Sequence, residues 1–594
     1  MSRPPLRLLP GIVLAALLVA LRYVLPFIFP DGELRDSLQG VAVIGGMAGA
    51  LMIALWWLFL SRAAWSDRLS AIAVMAAALF ATRFFLHPSI VGGMMGFMLY
   101  VYAIPVMTIA LVVWAVTFHA SSPGRRRVAM IVIISTAGAA WALVRSEGVI
   151  AGGSDLHWRW SMTPEERLLA EGGDAPELPP PAAATVEIPE AAVASTPSPV
   201  APPATARVDW PGFRGPRRDS VIRGVQIETD WATSPPQQLW RRAIGPGWSS
   251  LAVRGDILYT QEQRGDDELV AAYRVSTGAP VWRHKDPVRF YESNGGAGPR
   301  ATPTLSGGRL YSLGATGIVN ALDARTGAVI WTRDAATDTG AKLPGWGFTG
   351  SPLVVADTVV VATSGRLVAY DKSTGQPRWT AQTKGGSYSS PHLATIGGVP
   401  QIVMLSGFGA SSVSLADGAV LWENAFEGTP IVQPVLLSGG DLLISSADAM
   451  GGLGVRRLTV SGGASGWTVE ERWTSKGLKP YFNDYVVNDG HAFGFDGRIL
   501  SCISLEDGAK KWKGGRYGQG QLMLLPDQDL LLVLSEDGEL ALVSAKPDEY
   551  KELAKVPALN GKTWNHPVLA GDILLVRNGE EMVAFRLTLA RVAQ

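Results

Sequence analysis

Polar side chains recur where short β-rich runs begin in the second half of the chain. Asp484 is the only carboxylate among these positions, Asn483 precedes it, and Asn565 stands before a later run. A carboxylate can take the proton of a substrate hydroxyl, which makes Asp484 the candidate catalytic base. Trp346 could stack on a planar ligand, and Arg300 could hold an anion. Together with Asn483 and Asn565, these two are the candidate cofactor-binding residues.

Other kinds of site find little support in the residue types and their spacing. The single cysteine, Cys502, excludes an intrachain disulfide, a C-x-x-C-H haem site and a cysteine-rich zinc site. His392 and His566 each stand beside a proline with no spacing typical of a metal pair, so we predict no metal ligands. The glycine-rich stretch 295–300 lacks the following helix and lysine of a phosphate loop.

The elements that position these residues follow from composition. The chain has 594 residues, 47% apolar and 18% charged, which is too long for one ordinary domain. Net charge is zero, but residues 1–150 hold eleven Arg, no Lys and five acids. No basic domain follows them, so nucleic acid is not an expected partner.

The first 150 residues predict a five-helix membrane domain. Each apolar stretch is long enough to cross a hydrocarbon core of ~30 Å. The five stretches are 8–29, 38–60, 69–86, 90–118 and 128–145. Arginines cluster before the first span and in the loops after the second and fourth, which places the N-terminus inside and everything after Arg145 outside. In a bacterium this topology puts the second half of the chain in the periplasm, anchored in the inner membrane.

A composition change marks the boundary between two bodies. Residues 151–170 form a juxtamembrane segment, and residues 171–208 contain nine Pro and ten Ala. Such a stretch cannot bury a core, so we predict a disordered linker between bodies that need not pack together.

Residues 209–594 repeat one unit. The turn-and-tryptophan signature keeps Gly and Trp four residues apart in TGAPVW (277–282), TGAVIW (326–331), TGQPRW (374–379), DGAVLW (417–422) and DGAKKW (507–512). The spacing of about one unit per 48 residues predicts an eight-bladed β-propeller. Its inner strands begin near Ser250, Thr302, Ser351, Ser390, Val435, Tyr485, Leu522 and Pro567. The last blade lacks an outer strand, and QLWRRAI (238–244) lies unassigned before the first, so Trp240 is expected to close the ring.

These turns resemble the tryptophan-docking motifs of pyrroloquinoline quinone (PQQ) type propellers. That superfamily includes quinoprotein dehydrogenases and the propeller lipoprotein of outer-membrane barrel assembly. The segments WPGFRGPRRDSV (210–221), GPGWSS (245–250) and 298–317 are similar to a bacterial subgroup of PQQ-binding-like repeat proteins. The resemblance covers roughly residues 209–594 and implies an all-β eight-bladed propeller. The α-helical five-span membrane domain predicted from the apolar stretches precedes it.

The resemblance also implies a cofactor site whose match here is partial. Family quinoproteins stack PQQ on a tryptophan and bind Ca²⁺ through a glutamate, an asparagine and the cofactor, beside an aspartate base. By that resemblance Asp484 and Asn483 would serve as base and ligand, and Glu292 would add a second carboxylate. The adjacent cysteine pair of many family alcohol dehydrogenases cannot exist with one cysteine, and the insertions that roof their sites are short here.

Three functions of different classes remain open. A membrane-anchored periplasmic propeller could act as a binding or scaffold module of the cell envelope, with envelope proteins as partners. A PQQ-dependent dehydrogenase could oxidise a sugar or alcohol and pass electrons to membrane quinone. The chain could also be a sensor or accessory subunit whose helices contact another membrane complex. Of these, the sequence favours the scaffold.

Overall fold

The computed structural model describes residues 6–28, 33–150, 153–172, 176, 209–437, 439–446, 452–463 and 466–590. The chain divides into two compact units, Met1–Met162 with Tyr291–Gly296 and Thr163–Phe290 with Ala297–Gln594. The predicted linker 171–208 lies almost wholly outside the described residues, and the segment 151–170 is divided between the two units. The domain boundaries drawn from composition therefore stay a prediction.

The first unit is built mainly from helices. Its longer α-helices are Leu9–Val19, Glu33–Leu55, Trp65–Thr82, Met98–Phe118 and Pro123–Ala139, and its shorter ones are Leu25–Ile28 and Pro88–Gly92. Tighter or wider turns extend four of these helices at Ala20–Val24, Trp56–Leu60, Gly93–Gly96 and Ala140–Leu143. An antiparallel hairpin of Val144–Ile150 and Gly153–Trp158 follows the last helix.

Three helices of the described residues are long and apolar enough to cross a membrane: Gly40–Leu60, Met98–Phe118 and Pro123–Leu143. The apolar helix Leu9–Val24 is shorter. The helix Trp65–Thr82 begins with a polar turn that contains Asp67 and Arg68, which leaves a shorter apolar part. The count of five spans is therefore not confirmed and stays a prediction.

The second unit contains eight four-stranded antiparallel sheets, the blades of a propeller. Blades 1 to 4 comprise, from inner to outer strand, Ala252–Arg254, Ile257–Arg264, Asp267–Arg274 and Pro280–Asp286; Thr304–Ser306, Arg309–Leu313, Ile318–Asp323 and Val329–Asp334; Leu353–Val355, Thr358–Ala362, Arg366–Asp371 and Pro377–Gln382; and His392–Ile396, Val399–Ser406, Gly409–Ser414 and Val420–Ala425. Blades 5 to 7 comprise Val435–Leu436, Asp441–Ser446, Gly454–Gly463 and Gly466–Ser475; Val486–Asn488, His491–Asp496, Ile499–Ser504 and Lys510–Arg516; and Gln521–Leu525, Leu530–Leu534, Glu539–Ser544 and Glu552–Pro557.

Blade 8 is assembled from both ends of the unit. Val568–Ala570, Ile573–Arg577 and Glu581–Arg586 form its three inner strands, and Gln237–Ala243 is the outermost strand. Trp240 lies opposite Ala584 in this pairing. The expected closure of the ring through Trp240 is confirmed, and it leaves no blade without its fourth strand among the described residues.

The core lies between neighbouring blades. Leu530–Leu534 is buried along its whole length, because blades 6 and 8 cover both faces of its sheet. Each docking tryptophan joins one blade to the next: the indole N–H of Trp282 donates to the Ala324 carbonyl at 3.1 Å. Trp422 departs from this pattern and donates to Gln401 of its own blade, and blade 5, which follows it, lacks the turn-and-tryptophan signature.

A short helix at the start of the second unit packs on blade 1. Thr163 and Glu166 cap the helix Pro164–Glu171 reciprocally. The carboxylate of Glu165 accepts the Gly265 N–H at 2.8 Å and a bidentate pair of hydrogen bonds from Arg289 at 2.8 and 2.7 Å. The segment that composition assigned to the membrane boundary therefore belongs in part to the propeller.

Candidate functional site

A ring of hydrogen bonds joins the starts of the inner strands in blades 1 to 6. In each step a backbone N–H of one blade donates to a side-chain oxygen of the next. The steps are Ser250 to Thr302 at 2.9 Å, Thr302 to Ser351 at 3.0 Å, Ser351 to Ser390 at 2.9 Å, Ser390 to Gln433 at 3.0 Å and Gln433 to Asp484 at 2.7 Å. Asp484 thus holds in blade 6 the acceptor position that Ser, Thr or Gln holds in blades 2 to 5.

Asp484 lies inside the channel rather than on an open wall. It is 5% exposed, and its Oδ1 is 3.4 Å from Nη1 of Arg214, whose side chain is completely buried. Burial raises the pKa of the Asp484 carboxyl above its usual range, and the charge of Arg214 opposes that rise.

Arg214 belongs to a segment, residues 209–227, that we call the plug. Trp210 forms a β-bridge with Val253 of blade 1, and Val221 forms one with Leu524 of blade 7. Arg218 donates to the carbonyls of Ser351 and Pro352 at the start of blade 3. Further contacts reach Leu305 of blade 2, Tyr485 of blade 6 and Leu589 after blade 8. The plug therefore crosses the channel and ties six blades together.

The backbone of the plug is held in an unusual conformation. Arg214, Arg218 and Ser220 have φ of +62°, +55° and +59°, the left-handed region that L-residues rarely adopt. Gly215 has φ of +83°, and a Cβ there would lie 3.1 Å from the indole of Trp210. Such conformations cost about 1–3 kcal/mol each and persist only where the surroundings fix them. The buried hydrogen bonds of the two arginines supply that constraint.

A hydrogen-bonded chain runs from the plug into blade 8. Arg214 Nε donates to Ser220 Oγ at 2.7 Å, and Ser220 Oγ lies 2.8 Å from His566 Nε2. His566 Nδ1 lies 2.7 Å from the Pro567 carbonyl, which can only accept. Nδ1 therefore carries the proton and Nε2 accepts from Ser220. Burial and the Arg214 charge lower the pKa of His566 to about 3, so this imidazole is neutral.

Aromatic residues lie in the segments that precede the inner strands of five blades. We call Trp248, Trp346, Tyr388, Tyr481, Phe482 and Trp564 the aromatic platform, since they form one chain of ring contacts across five blades. Trp346 of blade 3 lies 6.3 Å from Tyr481 of blade 6, between ring centroids. All six rings are partly exposed. Lys562 lies over the rings of Trp248 and Trp564 at 5.2 and 4.6 Å.

The platform residues precede the inner strands, and the plug contacts residues at the starts of those strands and within them. In blade 1, Trp248 precedes Val253, the bridge partner of Trp210, by five residues in the sequence. The space between them is bounded by the polar ring. The arrangement is a partly exposed aromatic surface above a channel that the chain itself fills from below.

Two of the candidate cofactor residues, Asn483 and Asn565, form hydrogen bonds with the backbone of the propeller. Asn565 Nδ2 donates to the carbonyls of Ser249 at 2.7 Å and Gly247 at 3.2 Å, which links blade 8 to blade 1. Asn483 Oδ1 accepts the Tyr481 N–H at 2.9 Å. The structure thus brings Asn483, Asp484 and Trp346 close to one another through Tyr481.

The two residues of the 290–300 loop are held by that loop. Arg300 donates to the carbonyls of Ala297 at 3.2 Å and Gly298 at 2.6 Å. Glu292 accepts the N–H groups of Asn294 and Gly295. The roles suggested for Arg300 and Glu292 stay predictions.

The donor set does not fit a Ca²⁺–PQQ pair. Ca²⁺ needs several oxygen ligands, but Asp484 Oδ1 is shared by Gln433 N–H and Arg214. Glu536 is a second carboxylate beside the platform residue Trp564. Both of its oxygens accept hydrogen bonds, from Arg498 at 2.6 Å and from the Trp564 indole at 3.0 Å. Tyr388 also packs 4.7 Å from the ring of Trp346. A planar quinone would have to displace these contacts.

One group among the described residues has the types and spacing of a metal site. Ligand atoms of Glu147, Asp155 and His157 lie within 4.8 Å of one another in the hairpin of the first unit. Arg145 already pairs with Glu147 at 2.5 Å, and Asp155 and His157 are partly exposed. The group is explained as an ion-pair cluster, and no spacing signal in the sequence indicated it.

Comparisons with known proteins show that the propeller is similar to proteins with PQQ-like repeats. Residues 232–448 match a family model described as outer membrane protein assembly factor BamB. The protein of that name in Yersinia pestis is 25% identical over 342 residues, 55% of this chain and 75% of that protein. A quinohemoprotein alcohol dehydrogenase of Comamonas testosteroni is 30% identical over 160 residues, 26% of this chain and 21% of that enzyme.

Solved structures also align with part of this chain. BamB from Moraxella catarrhalis aligns with a TM-score of 0.45 and 16% identity over 60% of this chain and 99% of that chain. The quinohemoprotein alcohol dehydrogenase ADHIIG from Pseudomonas putida aligns with a TM-score of 0.47 and 13% identity over 65% of this chain and 81% of that chain. The resemblance to PQQ-like propellers that the repeated turns predict is confirmed.

Two parts of the site escaped sequence reasoning. The plug was visible only as the segment WPGFRGPRRDSV, and nothing in its spacing indicates which blades it contacts. The ring position was visible in principle, because Thr302, Ser351, Ser390 and Gln433 each precede a proline at the same point of the repeat. Aligning Asp484 with them would have indicated its structural contact.

Proposed function

We propose that this chain is a membrane-anchored binding or scaffold module of the bacterial cell envelope, with the aromatic platform as its binding surface. The observation that carries this proposal is the platform itself: six partly exposed rings from five blades, above a channel filled by the plug. An enzyme of the quinoprotein kind needs an open pocket with unused oxygen ligands. A docking module needs a rigid surface.

The residue types of the platform suit a polypeptide partner. Tyr, Trp and Phe are enriched where proteins bind one another, because they bury large areas with little loss of side-chain entropy. Lys562 adds a cation beside two of the rings, which favours an acidic or carbonyl-rich segment. The relatives named as outer membrane assembly factors support an envelope protein as the partner.

The membrane anchor and the compartment form part of the same proposal. Three candidate spans support association with a membrane, and the arginine-rich loops favour a cytoplasmic N-terminus. We infer that the first unit spans the inner membrane and that the propeller lies in the periplasm.

The test is site-specific photo-crosslinking in living cells. A photoreactive phenylalanine at position 388 should form a crosslink with an envelope protein that mass spectrometry identifies. The crosslink should disappear when Trp346 and Trp564 are both changed to Ala, and it should survive Trp160→Ala, which removes an exposed indole outside the platform. Crosslinking that is indifferent to both platform tryptophans would contradict the proposal.

Quinoprotein activity is the second candidate, and the similarity to two quinohemoprotein alcohol dehydrogenases favours it. Purified protein should then bind PQQ with Ca²⁺, oxidise a sugar or alcohol, and pass electrons to an acceptor dye or membrane quinone. Asp484→Asn should abolish turnover and leave PQQ bound, because it removes basicity and keeps size. We expect no PQQ-dependent turnover in the wild type. Such turnover would replace the scaffold proposal.

A further inference from the structure

We propose that the channel interior between the plug and blades 3 to 6 binds one small monovalent anion of halide size, held by Arg214, Arg218 and His392. The site is independent of the aromatic platform and of the partner proposed for it.

Charge balance is the first argument. Arg214 is completely buried, Arg218 is partly buried with its Nε shielded from solvent, and Asp484 is the carboxylate described beside them. With Asp484 ionised, this cluster carries one excess positive charge. A buried charge without a counterion is costly, so a native structure pairs it or moves its pKa. Burial, reinforced by Arg214, lowers the pKa of Arg218 only to about 10, which leaves it charged at neutral pH.

Unused hydrogen-bond donors are the second argument. Arg214 Nη1, Arg218 Nε and His392 Nδ1 are buried atoms that have no hydrogen-bond partner among the described residues. The 3.4 Å contact of Arg214 Nη1 with Asp484 is an ion pair without hydrogen-bond geometry. Such atoms are rare in native proteins and call for a ligand or an ordered water.

Arg577 provides an internal comparison. It is also completely buried in the propeller, and all three of its nitrogens donate to Asn578, Thr260, Gln261, Gly245 and Gly247. The charge of Glu262 acts on it as well. The fold can therefore satisfy a buried arginine from protein groups alone. By contrast, Arg214 Nη1 and Arg218 Nε in the plug have no hydrogen-bond partner among the described residues.

The three groups face one region of the channel. Arg218 bonds to the Ser351 and Pro352 carbonyls, and Ser351 N–H bonds to Ser390, two residues before His392. His392 is 5% exposed, and burial with the charges of both arginines lowers its pKa to about 3. His392 is thus a neutral imidazole that can offer an Nδ1–H. Neighbouring blades and the plug supply donors from several directions.

The size and charge of the ligand follow from this setting. One excess positive charge is neutralised by one monovalent anion, whereas a phosphate or sulfate would leave the cluster negative. The plug and the aromatic platform both limit access to the channel interior, which favours a compact ion over an organic acid. Chloride is the ion of this class that is abundant in solution.

The test uses bromide as the probe. Crystals of the full chain grown in sodium bromide should show an anomalous peak within hydrogen-bond reach of Arg214 Nη1, Arg218 Nε and His392 Nδ1. In solution, the melting temperature should rise saturably with chloride or bromide, and should not rise with gluconate at the same ionic strength. A water at this position, with no anomalous peak and no halide-dependent melting, would overturn the proposal.

Three variants separate binding from folding. Arg218→Gln should abolish the halide dependence of the melting temperature, and Arg218→Lys should restore part of it. Asp484→Asn keeps the acceptor for Gln433 N–H but adds one net positive charge, so it should strengthen halide binding several-fold. Arg217→Gln, at an exposed neighbour in the same segment, should change nothing. Weaker binding in Asp484→Asn that still folds would contradict the electrostatic assignment.

Discussion

At the scale of single residues, the turn glycines decide how blades dock. Gly327 has φ of +74°, and a Cβ at this position would lie 2.5 Å from the indole of Trp282 in the preceding blade. The same contact recurs between Gly375 and Trp331. The glycine and the tryptophan of one signature therefore form different contacts. The glycine packs against the tryptophan of the previous blade, and the tryptophan packs against the glycine of the next blade.

Gly327→Ala should destabilise the propeller by two additive effects. A left-handed alanine costs about 1–2 kcal/mol, and forcing a methyl group into a packed contact costs about 1–3 kcal/mol more. Gly490→Ala is the matched control, since Gly490 has φ of +72° and nothing within 4 Å of its Cβ position. Urea unfolding of detergent-solubilised protein, followed by tryptophan fluorescence, measures the difference. Equal losses in the two variants would show that the indole yields without cost.

The buried histidines make stability depend on pH. The pKa of His566 is lowered to about 3 in the folded state, against about 6.5 in an unfolded chain. Below a pH of about 6.5, His566 becomes protonated in the unfolded chain but stays neutral in the folded state. The free energy of unfolding therefore falls as the pH decreases towards 3. One such group accounts for about 2 kcal/mol between pH 6.5 and 5.

His566→Gln should flatten this dependence, because the amide oxygen can still accept from Ser220 Oγ and does not titrate. The free energy of unfolding measured between pH 7 and 5 should fall less steeply than in the wild type. His491→Gln, in an exposed backbone contact of blade 6, should leave the slope unchanged. A slope that is identical in all three proteins would refute the assignment of the neutral imidazole.

At the scale of elements, the strand Gln237–Ala243 and the plug perform separate closures. The strand completes blade 8 and docks Trp240 on blade 1 through the Val275 carbonyl at 2.8 Å. The plug fills the channel and contacts the inner strands. Both elements precede blade 1 in sequence, so their contacts with blade 8 and with the segment after it join the two ends of the propeller chain.

Deleting residues 209–244 should expose the edge of blade 8 and cause aggregation, because an unpaired strand edge is a template for intermolecular pairing. Size-exclusion chromatography and the melting temperature report this outcome. Deleting residues 175–205 of the Pro/Ala-rich linker should leave the melting temperature unchanged. The closure assignment fails if the two truncations are equally stable and equally monodisperse.

At the scale of the whole molecule, contacts in the first unit group the arginine-rich loops at one end of its helices, while the predicted topology stays a prediction. Arg126 pairs with Asp67, so the loop before Pro123 and the start of the helix Trp65–Thr82 lie at the same end of the helices. Arg7 N–H donates to the Ser61 carbonyl at that end. Ser146 N–H donates to Ser89 Oγ. This contact joins the segment after the last helix to the loop between the third and fourth predicted spans. Loops with clustered arginines thus share one end.

Reporter fusions test the orientation of these ends. An alkaline phosphatase fused after Gln594 should be active, because that enzyme matures only in the periplasm. A fluorescent protein that folds only in the cytoplasm should stay dark at the same site and light up when fused to the N-terminus. The reverse pattern would place the propeller in the cytoplasm and remove the envelope assignment.

The amino-acid sequence by itself determined the repeat, the number of blades and the closure through Trp240. These features depend on local spacing: a glycine turn and a tryptophan four residues later form a unit whose copies must stack to bury their faces. It also determined an apolar N-terminal region, although the number of spans depends on how much of each apolar stretch becomes helix.

Only the tertiary structure decided the site. Arg214 meets Tyr485 across 271 positions and Ser220 meets His566 across 346, and no periodicity links such distant residues. The platform joins rings from Trp248 to Trp564 for the same reason. Asp484 was identified from its charge at a strand start, but its contacts follow from its place in the ring and from an arginine delivered by the plug. Side-chain type is local information, whereas a counterion within 4 Å is a property of the folded chain.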